Sequence, residues 1–210
     1  MKEKATPLLL PVVLMLVFAL TRWPGLMPLN FSAAYALAFC AGVYFPGRLA
    51  FWLPLSALAI SDLVLNLYYF FALHIEAFKA MQLANYVAFA MIIWLGQRFN
   101  SRTSLLKLVG GGVLGSLLFY FITNTASWFF NPFQNPEYTR NFAGWIIALT
   151  KGTSGYPETW VFFRNTLLSG GLFTALFAGA LKLSERVESA EYVEPEGAIE
   201  EGAAEEKSKA

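Results

Sequence analysis

The stretch LAFWLPLSALAISDLVLNLYYFF, Leu49 to Phe71, decides how this chain folds. As a helix its 23 residues would span roughly 35 Å, enough to cross the ~30 Å hydrocarbon core of a bilayer. It carries one acid, Asp62, slightly past its middle. An ionisable group at that depth costs at least about 2.5–3.5 kcal/mol on insertion scales. Such a group faces a protein interior or a wet cavity and has a partner. What Asp62 faces is therefore the functional question.

The rest of the chain repeats the pattern. Of its 210 residues 57% are hydrophobic and 17% aromatic, and the apolar residues fall in runs of spanning length, which a soluble domain does not need. We read six spans: about Pro7–Trp23, Ser32–Phe45, Leu49–Phe71, Gln82–Gln97, Leu105–Phe130 and Trp160–Leu183. The second is short, ends at the turn signal Pro46-Gly47, and is expected to reach spanning length by extending back through Pro28-Leu29-Asn30. A cleaved signal peptide at the N-terminus would need small residues at its end, but Thr21 is followed by Arg22-Trp23. The expected fold is all-α: one polytopic membrane bundle of six transmembrane helices over residues 1–184. A disordered acidic cytoplasmic tail follows over 185–210.

Charge sets the expected orientation. The net charge of +1 hides an asymmetry, because nine of the fourteen acids lie between Glu185 and Ala210. Lys2, Lys4, Arg48, Arg98, Arg102 and Lys107 fall on one side of the spans, with Lys182 and Arg186. That bias puts both termini in the cytoplasm. The long connection from Asn131 to Thr159 is then external, and its semi-apolar stretch Phe142–Leu149 reads as an interfacial helix or a lid.

With depth assigned, the polar residues collect toward the outer side. Asp62 and Asn66 lie four apart on one helix face. Thr123, Asn124, Ser127 and Trp128 sit in the outer half of the fifth span, and Arg164 and Asn165 open the sixth. The inner half carries small residues at four-residue spacing: Ala34, Ala38 and Gly42; Gly111 and Gly115; Gly171, Ala175 and Gly179. Such spacing lets helices approach closely. The expectation is a bundle closed inside and hollow outside, with a solute-binding pocket. Asp62, Asn66, Asn124, Arg164, Asn165 and Trp128 are its candidate substrate-binding residues. In this reading Asp62 and Arg164 anchor opposite charges of a small polar or zwitterionic solute, and the asparagines orient it. The Tyr138–Thr159 region closes over it. The other reading makes Asp62 and Arg164 a structural ion pair in a non-transporting scaffold.

Other chemistries have little to stand on. One cysteine, Cys40, and one histidine, His74, leave no metal set, and no nucleophile–base pair or phosphate-binding glycine loop is visible. No enzymatic activity, cofactor, metal or nucleic-acid partner is expected.

Asn30-Phe31-Ser32, Ser61-Asp62, Thr123-Asn124 and Phe162-Phe-Arg-Asn-Thr166, taken as an ordered set, resemble an uncharacterised family of bacterial six-span membrane proteins. That family in turn resembles the substrate-binding S-components of energy-coupling factor transporters. The resemblance implies a multi-pass protein of the bacterial cytoplasmic membrane, with cytoplasmic termini and an outward pocket covered by loops. It also implies partners: the lipid bilayer, a small solute and a transporter coupling module. S-components dock to that module through an Ala-x-x-x-Ala pattern in the first helix. Here the first helix reads LLLPVVLMLVFAL, and the small-residue spacing lies in the second.

Overall fold

The computed structural model describes residues 9–75 and 78–208, with side chains from 10 to 187 except 76, 77 and 80. The described residues form seven α-helices and one 3-10 turn, Ala80–Gln82. The helices are α1 (Leu9–Arg22), α2 (Ala34–Tyr44), α3 (Leu49–Leu73), α4 (Leu83–Gly96), α5 (Leu105–Phe130), α6 (Phe142–Thr150) and α7 (Thr159–Ser208). Within α3, α5 and α7, the segments Leu49–Leu73, Leu105–Phe130 and Thr159–Val187 are long and apolar enough to cross a membrane. Leu10–Arg22, α2 and α4 are shorter apolar helices. Trp52, Ile60, Leu63 and Phe71 on α3 are each at least 60% exposed, a face suited to lipid rather than water.

The shortest of these six apolar helices, α2, sits at the centre. Nine of the 11 residues of α2 are buried. Helices α1, α3, α4, α5 and α7 all pack against it. Its sequence AYALAFCAGVY explains the crowding, because small side chains let neighbouring backbones come close. A Cβ on Gly42 would stand 2.2 Å from the carbonyl oxygen of Ile93 in α4, and one on Gly96 would stand 2.3 Å from that of Phe39. At the α5–α7 contact a Cβ on Gly112 would meet Thr174 Oγ1 at 2.1 Å, and one on Gly170 would meet Ser116 Oγ at 1.7 Å.

The buried stripe of α7 therefore runs through Gly170, Thr174 and Ala178, one residue before the spacing Gly171, Ala175, Gly179. Gly179 has nothing within 4 Å of a built Cβ. A threonine within it, Thr174 over Gly112, hid the true stripe from a search for the smallest residues.

The second span does not extend back through Pro28-Leu29-Asn30. Asn30 has φ 59°, in the left-handed region, so the helix cannot run through it. At 11 residues α2 is about 16 Å long, roughly half the thickness of a hydrocarbon core. Its shortness leaves the other half of the bundle axis to be filled by something else. Irregular chain from Trp23 to Ala33 runs there, turning at Gly25 with φ 83°.

Phe142–Thr150 is a helix, α6, packed against α5 and α7. Asn141 caps it, accepting the amide of Gly144 at 2.9 Å. The backbone of α7 continues as helix to Ser208, while side chains are described only to Val187, so the disorder expected of 185–210 is untested. The start expected at Pro7 lies outside the described residues.

Candidate functional site

A cavity of about 490 Å³ lies against the N-terminal end of α2, where the central helix stops short. Its walls come from six places. The end of α1 gives Thr21 and Arg22, and the irregular segment gives Trp23 to Ser32 except Leu26. Helix α2 gives Ala34 and Tyr35; α3 gives Leu58, Leu65 and Tyr69; α4 gives Asn85 and Phe89. Helix α5 completes it with Phe119, Thr123, Asn124 and Ser127. Amides and hydroxyls alternate with aromatic rings, and Arg22 is the one charged side chain in the lining. A concave space of this size and lining suits a small solute.

Hydrogen bonds fix the irregular wall. The Thr21 hydroxyl donates to Phe18 O at 3.0 Å and accepts the amide of Ala33 at 3.0 Å. The Ser32 hydroxyl accepts the amide of Ala34 at 3.2 Å. From the far side, Asn165 Nδ2 donates to Leu29 O at 2.9 Å, tying α7 to the same segment. Tyr35 Oη donates to Asn30 O at 3.3 Å.

Asp62 has its partner, and it is not Arg164. Arg22 Nη2 donates to Asp62 Oδ1 in an ion pair whose side chains are 19% and 11% exposed. Tyr86 Oη donates to Asp62 Oδ2 at 2.9 Å. The carboxylate is thus held on both oxygens, by α1 and by α4. Asp62 is buried and stands behind Arg22 rather than in the cavity lining. Both Arg22 and Arg164 lie near helix ends on the polar side, so depth alone could not choose between them; the packing of α1 on α3 does.

The remaining candidates are spread around the cavity rather than gathered in it. Asn124 lines it, with Nδ2 donating to Tyr120 O at 2.8 Å. Asn66 Nδ2 donates to Asp62 O at 2.8 Å, and its Oδ1 is buried with no hydrogen-bond partner. Arg164 is exposed, its guanidinium 5.5 Å from the centre of the Trp160 ring and 3.4 Å from Asn165 Oδ1. Trp128 Nε1 donates to Thr139 O at 2.7 Å, joining α5 to the long connection. None of Asn66, Arg164, Asn165 and Trp128 is in the lining, and neither is any residue of 131–158.

Elsewhere in that connection, Glu137 Oε1 accepts the amide of Ser154 at 3.1 Å and its hydroxyl at 2.6 Å. Those bonds, the hydroxyl first, hold the Glu137 carboxyl below the usual carboxylate range. Tyr138 beside it is pushed up, by burial first and then by the charge of Glu137.

Three residues of the site escaped the sequence reading. Thr21 and Arg22 were read only as an unsuitable end for a signal peptide, and Tyr86 was not singled out. Asn30, Ser32, Asn85, Thr123 and Ser127 did carry a signal, as polar residues expected toward the same outer side as Asp62.

Three candidate transmembrane helices, three shorter apolar ones and a polar cavity at one end point to a multi-pass membrane protein. The chain belongs to the family of unknown function DUF6580, which it matches over residues 2–192. No curated protein and no solved structure matches it.

Proposed function

We propose that this protein captures a small polar solute in the cavity at the N-terminal end of α2 and serves an uptake transporter of the bacterial cytoplasmic membrane. The observation that carries the reading is the position of the cavity. It occupies the half of the bundle axis that the central helix leaves empty, and its walls are amides, hydroxyls and rings. All six apolar helices then cross or enter the membrane, with both termini cytoplasmic and the cavity facing out. The segment from Trp23 to Ser32 would cover the solute, in place of the longer connection, because it contributes walls and the longer one contributes none. Likeness to the S-components of energy-coupling factor transporters fits this arrangement. Coupling to their ATP-driven module remains part of the proposal. In this scheme Asn124 touches the solute, and Asp62 acts through Arg22.

The test is native mass spectrometry of protein extracted in a mild detergent. A small molecule should be retained by the natural chain and lost from Thr123→Trp, whose added ring would occupy the cavity. Equal retention by both would remove the cavity from the account.

A second reading has one observation in its favour. Arg22, Asp62 and Tyr86 satisfy one another without any ligand, as a network that only fixes helix register would. On that reading the protein is a non-transporting membrane scaffold, and nothing is retained.

A further inference from the structure

We propose that the solute is a water-soluble organic anion, such as a carboxylate or sulfonate, whose negative group meets the guanidinium of Arg22. This rests on the cavity being a solute site, and it adds the sign of the solute's charge.

Three observations converge on that sign. Arg22 is in the lining, and no acidic side chain is. The ion pair is also oriented: its cation borders the cavity, while Asp62 lies behind it, held on its second oxygen by Tyr86. Both charges together are neutral, yet a group in the cavity is nearer to the guanidinium than to the carboxylate. It therefore experiences a net positive potential, strengthened by apolar walls such as Phe89 and Phe119. Finally, the fork is not exhausted. A guanidinium has five N–H donors, and the hydrogen bond described for Arg22 uses one, on Nη2. A second carboxylate can share the same guanidinium, and such charge-assisted contacts are the strong ones.

Asp62 is then a positioning residue. It fixes where Arg22 points and stops a lone cation from being buried. This differs from a site in which Asp62 and a separate arginine grip the two ends of a zwitterion.

An anionic group could also arrive on a lipid. Arg22 borders a second cleft, of about 330 Å³, between α1 and α3, lined by Met15, Phe18, Ile60 and Val64 among others. That cleft is apolar and suits an acyl chain. The main cavity instead offers Asn85, Thr123, Asn124 and Ser127, hydrogen-bonding groups that an acyl chain would leave unused. The soluble anion is the better fit.

Charge-matched thiol labelling tests this on the full-length chain in lipid nanodiscs. Buried Cys40 is replaced by Ala, and one new thiol is placed in the cavity by Asn124→Cys. An exposed reference thiol, Gln134→Cys, is made separately. Each is treated with methanethiosulfonates carrying a neutral methyl, a sulfonatoethyl or a trimethylammonium-ethyl group. Normalised to the reference, the sulfonate reagent should label the cavity thiol about tenfold faster than the ammonium reagent. Arg22→Lys should keep that preference. The double variant Arg22→Gln/Asp62→Asn, which keeps hydrogen-bonding groups and removes both charges, should bring the ratio to about one. Benzoate in the buffer should slow labelling more than benzylamine.

A ratio at or below one in the natural background, or one unchanged in the double variant, overturns the anion while leaving a water-filled cavity standing. If even the neutral reagent fails to reach the thiol, the cavity reading falls as well. Protection by phosphatidylglycerol nanodiscs but not by benzoate would assign the site to a lipid headgroup and also overturn the soluble solute.

Discussion

The two ends of α2 are built by opposite means. At its C-terminal end, Gly42 and Gly96 bring α2 and α4 into backbone contact, and Phe39 fills the space over Gly111. At its N-terminal end the helices stand apart, and an ion pair, a tyrosine and a set of hydroxyls hold an open space between them. The first end is specified by what is missing from the side chains, the second by paired polar groups. A close-packed end tolerates no added volume. A polar end tolerates added volume but no loss of a partner. That difference gives each end its own characteristic failure.

The largest effect is expected from unpairing the polar end. Asp62→Ala leaves Arg22 without its counter-charge and Tyr86 without its acceptor, a loss of about 3 kcal/mol, the low end for a buried pair because neither side chain is fully enclosed. For a chain of this size that lowers Tm by roughly 6–12 °C. Arg22→Gln/Asp62→Asn should recover most of it, because both charges go together. A double variant as unstable as the single one would mean that the pair is valued for its attraction, not for mutual neutralisation. Melting of both in the same detergent is the measurement.

Next comes the close-packed end. Gly96→Ala drives a methyl group into the backbone oxygen of Phe39, which has no rotamer to yield, and should destabilise by about 2 kcal/mol. Gly179→Ala, on open space in the same bundle, is the matched control and should change Tm by no more than about 2 °C. Equal effects would show that small residues here serve helix flexibility and not contact.

How much of this contrast could be read from the sequence follows from the same physics. All six apolar helices fall at the expected places, since apolar runs of set length and turn signals are local properties. The asymmetry of the bundle was legible too, because Gly and Ala cluster at one depth and Asn, Ser and Thr at another. Which charge meets Asp62 was not legible. Arg22 and Arg164 have the same chemistry and similar depth, and only the side-by-side packing of α1 and α3 distinguishes them. The same limit hid the wall at Trp23–Ser32. Its role depends on α2 ending early, and Asn30 in a left-handed conformation is what ends the backward extension.

A third variant asks whether the polar end is truly open. Asn124→Leu keeps side-chain volume in a cavity wall and removes one amide bond to Tyr120 O, so it should lower stability by only about 1 kcal/mol. Solute retention should fall far more than stability does. A collapse comparable to that of Gly96→Ala would instead mean that Asn124 is packed as tightly as the glycine end.

The smallest effect belongs to the long connection, which neither end of α2 requires. Glu137 is held to Ser154 by two hydrogen bonds across 17 residues of chain. Its carboxyl ionises below the usual range in the folded protein, so the clasp contributes fully above the ordinary carboxylate value of about 4.3. The contribution is lost as pH falls through the lower folded value. Because Glu137 is only partly covered and lies in a loop, water competes for it, and opening should be local. Amide exchange around Gly152–Ser154 should therefore speed up on acidification, corrected for intrinsic pH dependence, while Tm barely moves. Ser154→Ala, which loses the hydroxyl bond and keeps the amide one, should show faster exchange already at neutral pH and a smaller further acid step. If acidification instead loosened the cavity wall at Trp23–Ser32 along with this clasp, the long connection would be coupled to the cavity after all, and the division between the two ends would have to include it.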